Sequence, residues 1–317
     1  MTTKSVLITG IAGFVGSHVA EEALRRGWRV RGIDSLTDYY DVDLKRANLE
    51  WLKRIGVSEI AIDDINSVNL HPLVARADAV IHLAGQPGVR PSWSSFNDYL
   101  YGNLLTTHSL LEACRGTGKS FLLASSSSVY GNGCKSAIAE TSPTEPISPY
   151  GVSKLAAEKL CLAYSVSFDV TCTALRFFTV YGPRQRPDMA IQRLLLAAKS
   201  GQPFELFGDG SQAREFTYVQ DVAEAVAAVV ETELESGTIL NVGGGRPVSM
   251  NTLITCVERV SGKSINVIRS ETQKGDVRVT WSDSSRARTL LGWSPATPLE
   301  IGLRQQYEWI TGQAQPN

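Results

Sequence analysis

The chain has 317 residues, 43% of them hydrophobic and 20% charged, with a formal net charge of -1. That length admits one large domain or a large and a small one, and the near-neutral balance offers no basic surface to nucleic acid. No apolar run is long enough to cross a bilayer, and a strand begins so close to Met1 that no signal peptide fits ahead of it. Five scattered cysteines without a C-x-x-C pair suit a reduced, cytoplasmic protein. The four histidines show no metal-ligand spacing, so no metal is expected.

In chain order, Ser5–Thr9 is a nearly unbroken apolar run, as expected of a strand buried on both faces. Gly10, Gly13 and Gly16 follow at once, and Val15, Val19 and Ala23 form a helical stripe that Gly27 ends. Strand, glycine turn and helix together let amides at a helix start approach a pyrophosphate. Gly10, Gly13, Phe14, Val15 and Gly16 are therefore candidate cofactor contacts, although the spacing is G-x-x-G-x-x-G rather than G-x-G-x-x-G. Asp34 closes a second strand, Trp28–Ile33. An acid about 20 residues beyond the glycines suits the ribose hydroxyls of NAD and repels the extra phosphate of NADP.

Asp38-Tyr39-Tyr40-Asp41 opens a polar loop, and Leu44, Ala47, Leu49 and Leu52 suggest an amphipathic helix. A third strand, Glu59–Ile62, ends in Asp63-Asp64-Ile65. Asp64 there can accept an adenine amino group or cap the helix that follows. A fourth strand, Ala79–Gly85, contains His82, which reads as packed core. It ends in Leu83-Ala84-Gly85, small enough for a flat cofactor to pass. A helix from Phe96 to Cys114 carries Asn103 in its middle. Asn is a poor helix former, so it faces solvent or serves as an internal hydrogen-bonding group.

A fifth strand, Phe121–Ala124, leads into Ser125-Ser126-Ser127-Ser128-Val129-Tyr130-Gly131. The serine hydroxyls would point into a cleft at the carboxyl end of the sheet. Tyr150 and Lys154 stand four residues apart and share a helical face. An ammonium beside a phenol lowers a pKa that is ordinarily about 10, so Tyr150 is a candidate base toward an alcohol. A sixth strand, Val170–Leu175, completes an alternation that implies an α/β, doubly wound parallel sheet of Rossmann type.

Beyond residue 180 the texture changes, and a smaller α/β region, 181–317, packs on the first, 1–180, to form a cleft. Its features are the loop Gly182–Pro187, short segments at Phe204–Phe207 and Arg214–Tyr218, and a helix Val222–Glu231 capped by Asp221. A glycine cluster at Gly243–Gly245 reads as a loop. An extended segment follows at Val277–Trp281, then a last helix, Pro298–Ile310.

Several motifs in order resemble the extended short-chain dehydrogenase/reductase family, specifically its nucleotide-sugar epimerases and dehydratases. They are Thr9–His18, His82–Gly85, Ser125–Gly131, Tyr150–Lys154 and Arg214–Val219, and the similarity covers nearly the whole chain. The resemblance implies NAD as cofactor, a seventh strand, a homodimer built on paired helices, and a nucleoside diphosphate sugar bound by the carboxyl-terminal region. It implies Tyr150 as base, with Lys154 also on the nicotinamide ribose and Ser126 on the sugar 4-hydroxyl. Asp34 would hold the adenosine ribose, Asp64 and Ile65 would flank the adenine, and Asn103 would stand behind the site. Arg214 and Arg278 resemble the arginines that hold the sugar diphosphate; read by themselves they are solvated surface charges.

Departures within the family narrow the reaction. The 4,6-dehydratases carry Asp-Glu where this chain has Ser127-Ser128, and decarboxylating xylose synthases tend to an acid at position 128. Galactose-type 4-epimerases usually have Asn where this chain has Thr179. Arg186-Pro187-Asp188-Met189-Ala190 and Asp34–Asp41 look like the 4-epimerases of UDP-hexuronates. A guanidinium offers a planar, two-pronged grip on a uronate carboxylate, so Arg186 is the candidate, and Thr179, Ser127 and Ser128 could add hydrogen bonds; the bland reading is that Arg186 orders its own loop. A neutral-sugar 4-epimerase, a decarboxylase and a cofactor-sensing protein without turnover are the competing readings.

Overall fold

The computed structural model describes residues 3–132, 136–271 and 279–313. Its centre is a seven-stranded, all-parallel sheet. Five of its strands are β1 (Ser5–Thr9), β2 (Arg29–Asp34), β3 (Glu59–Ile62), β4 (Ala79–His82) and β5 (Ser120–Ser126). β6 (Thr171–Phe177) follows and pairs with β5 from Ser120 opposite Thr171 to Ser126 opposite Phe177. Two short strands, β7 (Val180–Tyr181) and β10 (Thr217–Tyr218), pair with each other. β8 (Phe204–Phe207) pairs with β13 (Val267–Ser270), and β9 (Ala213–Arg214) with β12 (Val248–Ser249). The seventh strand of the large sheet is β11 (Thr238–Val242), so the chain crosses back after residue 218 to complete the order β11-β6-β5-β4-β1-β2-β3.

Side chains alternate across a strand, and here both faces are apolar. Val6 and Ile8 face α1 (Phe14–Arg25), α2 (Val42–Arg54) and α8 (Val219–Glu231). Leu7 points the other way, toward α3 (His71–Ala75), α5 (Thr106–Cys114) and α6 (Pro149–Ser167). A third core joins α7 (Ala190–Ser200), α9 (Met250–Ser261), β8 and α11 (Leu299–Thr311). The short α10 (Ser285–Leu291) sets Ala287 into the first core.

Two expected helices differ in form. The segment from Phe96 to Cys114 is not one α-helix. It is α4 (Phe96–Tyr99), a π-helical stretch Leu100–Leu105, and α5. Asn103 lies in the π-helical stretch and is 2% exposed. Its side chain accepts from Gln86 N (2.8 Å) and donates to Gln86 O (3.1 Å) and Ser153 Oγ (2.9 Å). Serving those three partners displaces the backbone from α-helical register, as π-bulges at functional sites do. The other difference is Asp221, which is not a cap. α8 begins at Val219, and the Asp221 carboxylate instead receives Thr297 N and Oγ1 at 3.1 and 2.9 Å. Burying an acid in the first turn favours the helix dipole while anchoring the segment ahead of α11.

Candidate active site

The order in which strands are added reverses between β1 and β4, and ligands bind open α/β sheets at the carboxyl end of such a point. The glycine turn lies there. Gly10 takes φ +69°, and a Cβ on it would stand 2.7 Å from Ala84 N. A Cβ on Gly16 would stand 2.1 Å from Gly10 O. Helix α1 starts at Phe14 with Gly13 as a cap that has no side chain, so its first amides face open space rather than a capping group. The turn thus fits two phosphates.

Asp34 ends β2 beside that turn. Its carboxylate accepts from Ala12 N and Leu36 N, each at 2.9 Å, which fixes its plane and leaves acceptor capacity toward the cleft. The cleft runs from Gly10, Gly13, Phe14, Val15, Gly16 and Asp34, past Asp64 and Ile65, to Leu83, Ala84, Gly85 and Arg186. This lining fits a dinucleotide. Asp64 is not the cap of the next helix, which starts only at His71. It closes a turn on Asn66 N and accepts from Tyr101 OH, both at 2.8 Å.

His82 is core, as expected, and it braces the cleft wall. Thr9 Oγ1 lies 2.8 Å from His82 Nδ1, and His82 Nε2 lies 3.1 Å from Thr107 Oγ1. Thr107 in turn donates to Asn103 O (2.6 Å), while Ala84 N donates to Thr9 Oγ1 (3.1 Å). The chain of bonds reads consistently with the proton on Nε2. Burial pushes the imidazole pKa down to about 3, so it stays neutral.

Tyr150 and Lys154 lie in the first turns of α6, whose amino end Ser148 caps by accepting from Gly151 N (3.1 Å). Tyr150 is half-buried, its ring edge-on to Tyr99 with centroids 6.1 Å apart. The expectation that Lys154 lowers the Tyr150 pKa is not met. Burial dominates and raises it, while a hydrogen bond with Ser126 and the charge of Arg186 pull the other way. Lys154 Nζ donates to the Ala124 carbonyl at 3.0 Å, and desolvation lowers its own pKa to about 8 against the pull of Glu158.

The serines divide. Ser126 Oγ accepts from Ser128 N (3.2 Å) and starts a 3-10 turn over Ser127–Tyr130. Ser125 turns away from the cleft and donates to Glu158. Glu158 is 4% exposed and receives Arg176 through Nε (2.9 Å) and Nη2 (2.7 Å). Arg176 Nη1 reaches Tyr130 OH (2.8 Å), which donates to Asn241 Oδ1 (2.7 Å). This buried set fastens α6, β5, β6 and β11 beneath the candidate residues. Its best sequence signal is spacing: Glu158 is one helical turn beyond Lys154.

Arg186 is brought to the site. Its Nε and Nη2 engage Asp188 at 2.9 and 3.0 Å, and its guanidinium stands 5.8 Å from the Tyr39 ring centroid. Thr179 is half-buried between β6 and β7, and its carbonyl accepts from Thr217 N (2.9 Å). Arg214 sits in β9, opposite Val248, and donates to the Ala213 carbonyl at 3.0 Å. Arg278 lies outside the described residues. Tyr39, Tyr40, Lys45 and Gln86 also line the cleft. The signal for the two tyrosines was their adjacency in an otherwise polar loop.

Glu215, just past Arg214, is fully buried. It receives Ser282 N (2.6 Å), Ser282 Oγ (2.8 Å) and Gly245 N (2.7 Å), and burial still pushes its pKa up to about 7. It pins the Gly243–Gly245 loop, which is a loop as expected. The expected extended segment at 277–281 is described only from Val279, which bridges to Ala213.

Known proteins resemble this chain along nearly its whole length. A UDP-glucuronate 4-epimerase of Thermodesulfobacterium geofontis is 38% identical over 308 residues, covering 96% of this chain and 95% of its own. A protein of Bacillus subtilis described as an uncharacterized UDP-glucose epimerase is 39% identical over 309 residues, covering 96% and 98%. The crystal structure of UDP-glucuronic acid 4-epimerase from Bacillus cereus, in complex with UDP-glucuronic acid and NAD, superposes with a TM-score of 0.93. It is 39% identical, covering 97% of this chain and 99% of that one. The model of the NAD dependent epimerase/dehydratase family matches residues 6–243, and the chain belongs to that family.

Proposed function

We propose that the protein is an NAD-dependent isomerase, a 4-epimerase that interconverts UDP-glucuronate and UDP-galacturonate through a 4-keto intermediate. One observation carries the reading: a single cleft runs from the glycine turn and Asp34 to Arg186, whose charge bears on the Tyr150 phenol. Relatives named for that activity, aligned end to end, support it.

NAD, when bound, would supply the hydride acceptor and donor for C4. Gly10, Gly13, Phe14, Val15 and Gly16 present amides to its pyrophosphate, and Asp34 takes the adenosine ribose. Asp64 and Ile65 flank the adenine, and Leu83, Ala84 and Gly85 let the nicotinamide half pass. Asn103 holds Gln86 and Ser153 behind it. Tyr150 removes the proton of the C4 hydroxyl and returns it after the sugar has presented its other face, with Ser126 as hydrogen-bond partner. Lys154 holds the ribose and contributes charge. Arg186, Thr179, Ser127 and Ser128 hold the uronate carboxylate, and Arg214 and Arg278 hold the diphosphate. Residues 1–180 thus serve mainly the cofactor and 181–317 mainly the sugar nucleotide.

A neutral-hexose 4-epimerase is the second reading, favoured by the Arg186–Asp188 pair, which already occupies two guanidinium donors. Incubating the purified protein with UDP-glucuronate and with UDP-glucose, and separating the products, decides between them. UDP-galacturonate from the first supports the main reading. UDP-galactose alone supports the second, and UDP-xylose as sole product would mark a decarboxylase.

We also infer a cytoplasmic homodimer. Leu100, Tyr101 and Leu105 are exposed and line an apolar groove with Leu104, His108 and Leu160 of α6. Two copies pairing these helices would cover it. A Leu105→Glu variant should then run as a monomer in light scattering, and a wild-type monomer would contradict the seam. Cys114, Cys161, Cys172 and Cys256 are free and buried, which suits a reducing compartment.

A further inference from the structure

We propose that the ion pair between Glu21 on α1 and Arg184 is a positioning device that aims Arg186 at the substrate carboxylate. The proposal rests on the uronate reading above.

The chain from Gly182 to Gln185 forms a tight turn, with Gln185 N donating to Gly182 O at 3.2 Å. Pro183 occupies its second position and Arg184 its third, at φ +63°. A turn of this form normally has glycine or asparagine at that place, because a Cβ there is strained. Strained non-glycine residues persist where surrounding contacts over-determine them. Here the contact is the Arg184 Nη2 pair with Glu21 Oε2, side chains 12% and 27% exposed. The other Glu21 oxygen accepts Trp51 Nε1 of α2, so the carboxylate is itself held.

Gln185 is tied on the opposite side. Its Nε2 donates to Val180 O (2.9 Å), and its Oε1 accepts from Gln306 Nε2 of α11 (2.8 Å). Arg186 comes next and is bonded to Asp188 within the same loop. A pair of side chains that bond each other within one loop cannot set that loop's place in the protein. The two preceding residues do so, one to the helix of the phosphate turn and one to the carboxyl-terminal helix.

This placement matters because a 4-keto uronate is a β-keto acid. When its C5–carboxylate bond stands perpendicular to the ketone plane, that bond breaks. Carbon dioxide leaves, the electron pair enters a C4–C5 enolate, and a proton at C5 completes a 4-ketopentose. No outside oxidant or reductant is required. A guanidinium grips a carboxylate through two parallel bonds in one plane, so Arg186 suppresses the loss only while its plane is fixed.

The test is the partition of products when NAD-loaded enzyme turns over UDP-glucuronate. The ratio read is 4-ketopentose plus UDP-xylose to UDP-galacturonate. Glu21→Gln and Arg184→Gly each remove the ion pair. Glycine is at ease at the turn's φ, so Arg184→Gly keeps the turn and separates aim from folding. Both variants should raise the ratio by roughly tenfold or more, as displacements on the scale of 1 Å do to positioned groups. Arg184→Lys, which keeps a cation for Glu21, should stay near wild type. Folded variants that partition like the wild type would overturn the proposal, as would an Arg184→Lys leak equal to that of Arg184→Gly. If wild type makes no UDP-galacturonate, it is the uronate reading that fails.

Discussion

Lys154 gives its ammonium to the Ala124 carbonyl at 3.0 Å, although Tyr150 lies one helical turn before it on the same face. The lysine therefore braces α6 against the end of β5, and in the protein alone Ser126 and Arg186 are the groups that bear on the phenol. Burial holds it protonated in the protein alone, while Ser126 and Arg186 draw it toward the anion. The proposed base, Tyr150, depends on several modest contributions rather than on one dyad.

Replacing Tyr150 with Phe removes the proposed proton acceptor and little else, since the ring can keep its edge contact with Tyr99. Turnover of UDP-glucuronate should fall by about 10²–10⁴-fold, the usual worth of a positioned acid–base group. Bound NAD, read by absorbance after denaturation, should stay at the wild-type level. A rate within a few fold of wild type would remove Tyr150 from its role.

Gly16→Ala tests the turn. The new Cβ would lie 2.1 Å from Gly10 O, which no rotamer relieves. Stability should drop by about 1–3 kcal/mol from overpacking, and co-purified NAD should be lost. Undiminished NAD in a variant of unchanged melting temperature would mean that the turn does not hold the pyrophosphate.

Arg186→Ala separates the two substrate readings. Kinetics on UDP-glucuronate should lose about 10²-fold or more in kcat/KM, the worth of a charged contact, with a smaller loss on UDP-glucose because the charge that draws Tyr150 toward the anion is gone for both sugars. Equal losses on both sugars would remove the carboxylate from Arg186's role.

Glu215 gives a pH signature. Its folded pKa of about 7 lies above the ordinary 4.5, so the folded state holds this proton more tightly. The resulting stability is fully present below the ordinary value and is lost as pH rises through about 7. The loss between about pH 6 and pH 8 should be on the order of 1 kcal/mol. Denaturant melts at these two pH values measure it, and Glu215→Gln should flatten the difference. A wild-type midpoint that climbs across this range, with no change in the variant, would contradict the assignment.

Much of this is legible in the sequence. β1, the glycine turn and Asp34 form one local unit, with strand period, turn chemistry and a terminal acid all inside one βαβ segment. Position in the sheet follows from that alternation. What could not be read depends on partners remote in the chain. Asn103 lies in a π-helical rather than an α-helical stretch because Gln86 and Ser153 claim its side chain, and neither is near in sequence. Asp221 leaves the capping role because Thr297 takes its carboxylate. Glu158 pairs with Arg176 across the α6–β6 contact, where breaking the pair would cost about 3–5 kcal/mol. The Lys154 contact has the same cause: i, i+4 spacing fixes a shared face with Tyr150, whereas the Ala124 carbonyl it meets belongs to the strand underneath.

The most direct measurement uses UDP-glucuronate carrying deuterium at C4. Purified enzyme, with no NAD added beyond what it holds, is allowed to reach equilibrium, and the products are separated and weighed by mass spectrometry. The account predicts UDP-galacturonate that retains the deuterium at C4, because that hydrogen leaves and returns within one closed site. Formation of no UDP-galacturonate, or of UDP-galacturonate whose C4 deuterium has been lost to water, would contradict it.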